Sequence, residues 1–237
     1  MSERKLIFDG KEKQIFDTEN PDEVLIHFKD DTTAYDGLKR AVFPGKGALN
    51  CNISALIFDN LVKAGIRTHY IEKVGECDLL CRKVEMIPIH LIVRNYIAGS
   101  TADMLGLEDG FKPSNVVYEF KYDNQGLGDP LINRHHAVAL GLLTYSELDE
   151  MLAIVSKVND VLVELFTKAG IKLVDYRIEM GRTESGELVV ADEISPDTSR
   201  MWDAATNEKL DKDRFRLDLG FICDSYRKIL ERLKGVK

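Results

Sequence analysis

The sequence predicts an α+β fold, and three observations carry that reading. Apolar runs of strand character arrive in blocks, with helical segments set between the blocks rather than alternating strictly with each strand. Two segments, 49–64 and 145–169, change the apolar period to that of a helix. Near the C-terminal end, LVDYRIEM and ELVVADEI form a strand pair joined by the short GRTESG.

The elements follow in order. KLIF, QIF and VLIHF read as strands, separated by the turn-prone DGKEK and DTENPDE. Leu49, Ile53, Leu56, Ile57 and Leu61 fall on one helix face, and Gly65 supplies the stop. Strand character returns from about 78 to 97. A short helix then follows with Ser100 as the expected N-cap and Asp103 at the reciprocal position. Thr144 and Glu147 make a capping-box pattern ahead of Leu148, Met151, Leu152, Val155, Val158, Leu162 and Leu165. A last helix is expected over 212–234. A boundary near residue 80 divides a β-rich region, 1–80, from an α+β region, 81–237.

The chain has 237 residues, enough to bury a core without disulfides or a structural metal. Its 32 basic and 40 acidic side chains give a formal charge of −8, which argues against a nucleic-acid partner. An anionic ligand must then be held by a few placed cations. No apolar run is long enough to span a membrane, and MSERKLIFDGKEK is too charged for a signal-peptide core. The expectation is a soluble cytoplasmic protein with no membrane partner. Cys51, Cys77, Cys81 and Cys223 show no zinc-type spacing and read as small buried hydrophobes.

Charge appears where a fold alone does not ask for it. Asp175, Arg177 and Glu179 share one face of a strand, with Tyr176, Ile178 and Met180 on the other. An odd hairpin register places Asp192 beside Glu179, whereas an even register or a bulge substitutes Glu193. Facing carboxylates destabilise a ladder unless a cation lies between them, and Mg²⁺ commonly takes such a pair together with phosphate oxygens. In PIHLIVRNYIAGS, His90, Ile92, Arg94 and Tyr96 share a face, and the strand runs through Gly99 into a helix start. That arrangement suits an anion, with Arg94 supplying a full charge; a surface arginine beside an ordinary capped helix is the alternative. Gly10, Lys11 and Lys13 form a glycine-plus-lysine turn, too short and in the wrong strand context for a Walker A loop. KDDTTAYDG and DEISPDTSRMWD cluster acids and hydroxyls in turn-like stretches.

GKEKQIF, KDDTTAYDG, PGKGALN, VRNYIAGS, GDPLIN, LVDYRIEMG, DEISPDTSRMWD and LDKDRFR occur in this order over nearly the whole chain. Together they resemble the phosphoribosylaminoimidazole-succinocarboxamide synthase (SAICAR synthetase) family. The resemblance implies a small β-rich N-terminal region packed on a larger α+β region, with an ATP cleft between them. It implies an ATP-dependent ligase that joins carboxyaminoimidazole ribonucleotide to L-aspartate, giving SAICAR, ADP and phosphate, with Mg²⁺ as cofactor and a homodimer as the assembly. By similarity Gly10, Lys11 and Lys13 cover the ATP phosphates, and Glu179 and Asp192 are the metal and phosphate carboxylates. Arg94, Ser100 and Arg200 match positions that grip the nucleotide 5′-phosphate. Asp36, Asp175 and Arg177 lie near the imidazole carboxylate and, with Asp197, are grouped as catalytic; Ser199, Lys212 and Arg216 line the same cleft.

That inventory suits the chemistry. A carboxylate must be phosphorylated before an amine attacks it, and phosphoryl transfer asks a protein mainly for positioning and cations. A kinase-like phosphotransferase and a nucleotide-binding module without turnover are the rival readings. Three positions depart from the family pattern: Arg177 replaces a usual lysine, His90 stands where glutamate is usual, and Lys121 falls two places early.

Overall fold

The computed structural model describes residues 4–236, with the backbone alone at Asp36. Three apolar runs with polar turns become β1 (Leu6–Asp9), β2 (Lys13–Asp17) and β3 (Glu23–Phe28). A small hairpin, β4 (Asp31–Ala34) and β5 (Lys39–Val42), precedes α1 (Lys46–Lys63). Then come β6 (Tyr70–Lys73) and β7 (Asp78–Arg82), which complete an antiparallel sheet of order β1-β2-β3-β7-β6. Helix α1 begins three residues before the expected start and buries Cys51, Ile53, Ile57, Phe58 and Leu61 completely. Full burial of one such aliphatic or aromatic side chain contributes about 1.5–3 kcal/mol.

The second sheet has β8 (Glu85–Met86), β9 (Ile89–Arg94), β10 (Val117–Tyr122), β11 (Leu131–Ile132), β12 (Ile171–Arg182), β13 (Leu188–Ala191) and β14 (Ser199–Asp203). Its axis is the long β12, which pairs with β9, β13, β14 and β8. Helices α2 (Ser100–Leu105), α3 (Arg134–Ala139), α4 (Tyr145–Lys168), α5 (Asp213–Arg216) and α6 (Ile222–Lys234) complete the chain. The Thr144–Glu147 capping box forms as expected, and α4 lays its apolar stripe against β12. The helix expected over 212–234 is two helices. Asp218, Gly220 and Phe221 take positive φ between them, which α-helical hydrogen bonding does not accommodate.

One apolar core runs through both sheets, from Ile26 and Phe28 in the first to Tyr176, Ile178 and Met180 in the second. Among the described residues, backbone bonds and helix packing both tie the halves together. The segment before β6 bonds β13, with His69 N donating to Val190 O at 2.8 Å. Helix α6 returns to pack on α1. Among the described residues, no helix is long and apolar enough to cross a membrane.

Candidate active site

Period two holds along β12. Tyr176, Ile178 and Met180 are buried to 0–1% exposure, while Asp175, Arg177 and Glu179 form the opposite face. The hairpin register with β13 is even: Glu179 pairs with Ala191 and Met180 with Val190. The odd register is therefore wrong, and Asp192 does not face Glu179 as a strand residue. It arrives by another route. Asp192 lies one residue past β13 with φ +58°, a left-handed turn that carboxamide and carboxylate residues tolerate best after glycine. That turn swings its carboxylate to the charged face, and Glu193 follows onto Lys13.

Seven side chains converge there. Lys13 of β2 reaches across to Asp192 and lies 3.1 Å from Glu193 Oε1. Arg177 Nε is 3.0 Å from Glu179 Oε1, and its terminal nitrogen is 3.4 Å from Asp192 Oδ2. His90 Nε2 lies 3.4 Å from Glu179 Oε1 and 3.5 Å from Asp123 Oδ2. Burial and then the neighbouring Asp192 carboxylate push Glu179 up to about 7. Burial alone would raise Asp192 as well, but Lys13 and Arg177 hold it well below the usual carboxylate range. Two carboxylates in one site with acidities driven apart are a common arrangement in catalytic centres. Burial followed by Arg177 lowers His90. Behind Asp192, His69 Nε2 donates to its backbone oxygen at 3.0 Å, and burial holds the ring down to about 4. At the tip of the β1–β2 turn, Gly10 N donates to Lys13 O, and Lys11 is exposed beside a cavity of about 490 Å³.

A second group sits further along the same face. The ladder registers place Arg94 of β9 and Arg200 of β14 directly opposite Asp175, one on each side. Arg94 donates to Asp175 Oδ2 at 2.8 Å and, with two parallel bonds of 2.8 Å, to Glu119. Arg200 donates to Asp175 at 3.0 Å and to Asp213 at 2.8 Å, and Arg216 donates to Asp213 at 2.5 Å. Burial raises Asp175 despite the two arginines. Ser100 is not the N-cap of α2. Gly99 is, at φ 60° and ψ −144°, a region only glycine enters readily. Nor would a side chain fit: a Cβ on Gly99 would lie 2.5 Å from the Arg200 guanidinium. Ser100 takes the first helical position and is exposed, and the Ser199 hydroxyl is buried with no hydrogen-bond partner.

Asp197 belongs to a third group. Its carboxylate accepts from Lys46 Nζ at 2.5 Å, Asn50 at 2.7 Å and Tyr226 at 2.5 Å, all buried. Burial would raise Asp197, but Lys46 and Lys212 hold it below the carboxylate range. Lys212 donates to Glu12 at 2.5 Å, and Glu12 also accepts from Thr33 N at 2.9 Å. The backbone of Asp36 lies in a 3₁₀ turn, 35–37, and its side chain lies outside the described residues. Sequence reading missed Glu12, Lys46, Asn50, Glu119, Asp213 and Tyr226 as members of these groups. Lys46 and Asn50 lie inside PGKGALN, Glu12 inside GKEKQIF and Asp213 inside LDKDRFR, so those motifs carried a signal; Glu119 and Tyr226 sit in strand and helix patterns that gave none.

Lys13, Arg94, Arg177 and Arg200 are thus held against carboxylates on or beside the sheet. Such a face can bind phosphate groups and a divalent cation while the chain as a whole stays acidic. The family model described as SAICAR synthetase matches residues 6–233. A phosphoribosylaminoimidazole-succinocarboxamide synthase of Clostridium botulinum (strain Alaska E43) is 49% identical over 233 residues, covering 98% of this chain and 99% of the relative. The crystal structure of the Ehrlichia chaffeensis phosphoribosylaminoimidazole-succinocarboxamide synthase superposes with a TM-score of 0.95 at 40% identity, covering 98% of this chain and all of that one. A type-2 SAICAR synthetase in complex with ADP gives 0.94 at 42% identity, covering 98% and 99% of the two chains.

Proposed function

The chain belongs to the SAICAR synthetase family, and from that premise we propose that it joins carboxyaminoimidazole ribonucleotide to L-aspartate at the expense of ATP. The products are SAICAR, ADP and phosphate. What supports the reading most is the convergence of Lys13, Arg177, Glu179 and Asp192 on one face of β12. A carboxylate oxygen of the nucleotide attacks the γ-phosphorus of ATP, giving an acyl phosphate and ADP. The aspartate amine then attacks the acyl carbon, phosphate leaves, and the amide forms. Lys11 and Lys13 hold the triphosphate, and Gly10 keeps the turn above it narrow. Arg177 cannot be deprotonated in a protein, so it stabilises charge on the carboxylate being phosphorylated and moves no proton.

Mg²⁺ fits the residues present. Glu179 and Asp192 offer hard oxygen donors, and Glu193 Oε2 is a buried carboxylate oxygen with no hydrogen-bond partner beside them. When bound there, the ion neutralises phosphate charge and polarises the transferring group. Arg94 uses three of its five N–H donors on Glu119 and Asp175. Its remaining donors, with Arg200 and Ser100, bind the nucleotide 5′-phosphate. Asp36 and Asp175 lie by the imidazole carboxylate. Asp197 acts through Lys46 and Tyr226, and Ser199, Lys212 and Arg216 complete the nucleotide cleft. The β-rich region expected over 1–80 runs on to Arg82, because β7 pairs with β3 to that residue; it forms the covering region, and the α+β region after it carries the metal and substrate groups, in a cytoplasmic homodimer.

One incubation tests the reading: ATP, Mg²⁺, the carboxylated nucleotide and aspartate. SAICAR formed in step with ADP supports the ligase. Aspartate-independent ADP with a phosphorylated product points to a phosphotransferase, and ATP binding without turnover to a nucleotide-binding module.

A further inference from the structure

We propose that His90, Asp123 and Glu179 form a binding site for a divalent transition-metal ion of the zinc and cobalt class. One ligand atom from each lies within 4.8 Å of the other two. The placement follows from the sheet. Lys121 of β10 pairs with His90 of β9, so Asp123 stands two residues further on the same face. On the other side of β9, Glu179 of β12 lies one step beyond the Ile178–Leu91 pair, beside His90. Three adjacent strands each contribute one donor, and Asp123 N donates to Pro88 O at 3.0 Å, which fixes the residue just past the strand end.

The spacing suits coordination. His90 Nε2 lies 3.4 Å from Glu179 Oε1 and 3.5 Å from Asp123 Oδ2. An ion about 2.0–2.2 Å from His90 and from either carboxylate subtends roughly 110° across each of these two separations, near the tetrahedral angle. An imidazole nitrogen among the donors favours zinc, cobalt or nickel over Mg²⁺, which prefers oxygen throughout. Arg177 competes: its Nε lies 3.0 Å from the same Glu179 oxygen. Its other partner, Asp192 at 3.4 Å, gives the guanidinium a place to move when the ion binds. The site shares Glu179 with the Mg²⁺ and nucleotide reading but uses neither nucleotide nor Asp192.

The test uses chelator-treated protein without nucleotide. Co²⁺ is titrated and followed by its visible absorption, and Zn²⁺ affinity is measured by competition with a chromogenic chelator. The parent should bind one ion per chain. His90→Gln and Asp123→Asn should each weaken binding by roughly 10- to 100-fold or more, while Arg177→Met tightens it. His135→Gln, at an exposed imidazole in another part of the chain, should change nothing. Asp192→Asn removes no ligand of this site and should still bind one Co²⁺ per chain, though less tightly because Arg177 loses its other partner, even where it abolishes ATP turnover, so the two metal readings fail separately. Equal Co²⁺ binding by the parent and His90→Gln, or no Co²⁺ binding by the parent, overturns the assignment.

Discussion

Arg94→Met separates two roles that one side chain combines. Arg94 is 5% exposed and makes three bonds of 2.8 Å to ionised carboxylates. Asp175 retains Arg200 after the substitution, but Glu119 loses both of its bonds and is left in a site where its side chain is 13% exposed. Removing one partner of a buried ion pair costs about 3–5 kcal/mol, chiefly by leaving the other charge unpaired. The substitution should also weaken the phosphorylated nucleotide by about 1.5–3 kcal/mol, or roughly 10- to 150-fold, the scale of a charge-assisted hydrogen bond. ATP affinity should hardly change. Denaturant unfolding and calorimetric titration of each ligand read the two effects. The double variant Arg94→Met/Glu119→Met removes the orphaned charge and should regain most of the stability without regaining nucleotide affinity. Nucleotide bound as tightly by the double variant as by the parent refutes the phosphate role. An Arg94→Met protein as stable as the parent refutes the ion-pair argument.

Three further outcomes are expected. Asp192→Asn should lower turnover by orders of magnitude and raise the Mg²⁺ requirement. The loss of stability should be only about 1–2 kcal/mol, because Lys13 keeps Glu193, Arg177 keeps Glu179, and asparagine accepts the positive φ; parental turnover at limiting Mg²⁺ contradicts the metal role. Arg177→Lys should keep substantial activity and Arg177→Met should lose most of it, and a new ionisation near neutral pH with a faster rate in the lysine variant would show that proton transfer matters there. His69 ionises near 4 in the fold, because burial disfavours its cation, and near 6.5 when unfolded. Between those values the unfolded chain binds the extra proton, so stability is full above pH 6.5 and falls as pH drops toward 4, by about 2–4 kcal/mol. His69→Gln should flatten that part of a pH–stability curve, and an unchanged slope rejects the assignment.

The face of β12 was legible because a strand's period is two: Asp175, Arg177 and Glu179 follow from one residue to the next. The position of Asp192 was not, because it depends on a positive φ one residue after β13 rather than on the ladder. The same holds at Gly99, where a glycine-specific conformation displaces Ser100 from the cap. The Lys46–Asp197–Tyr226 group joins residues 151 and 29 positions apart, so no local pattern could point to it. The α+β class and the two long helices were legible because their apolar periods are sustained. The break before α6 rests on a few positive-φ residues inside an otherwise helical pattern.

In the proposed mechanism the nucleotide's carboxylate is activated by phosphorylation on the charged face of β12 before the amine attacks. Carboxyaminoimidazole ribonucleotide labelled with ¹⁸O in its carboxylate tests this directly, with mass analysis of the phosphate released in the presence of ATP and aspartate. An acyl phosphate requires one carboxylate oxygen to leave with the phosphorus, so each phosphate should carry one label. Unlabelled phosphate formed in step with the amide would contradict the account.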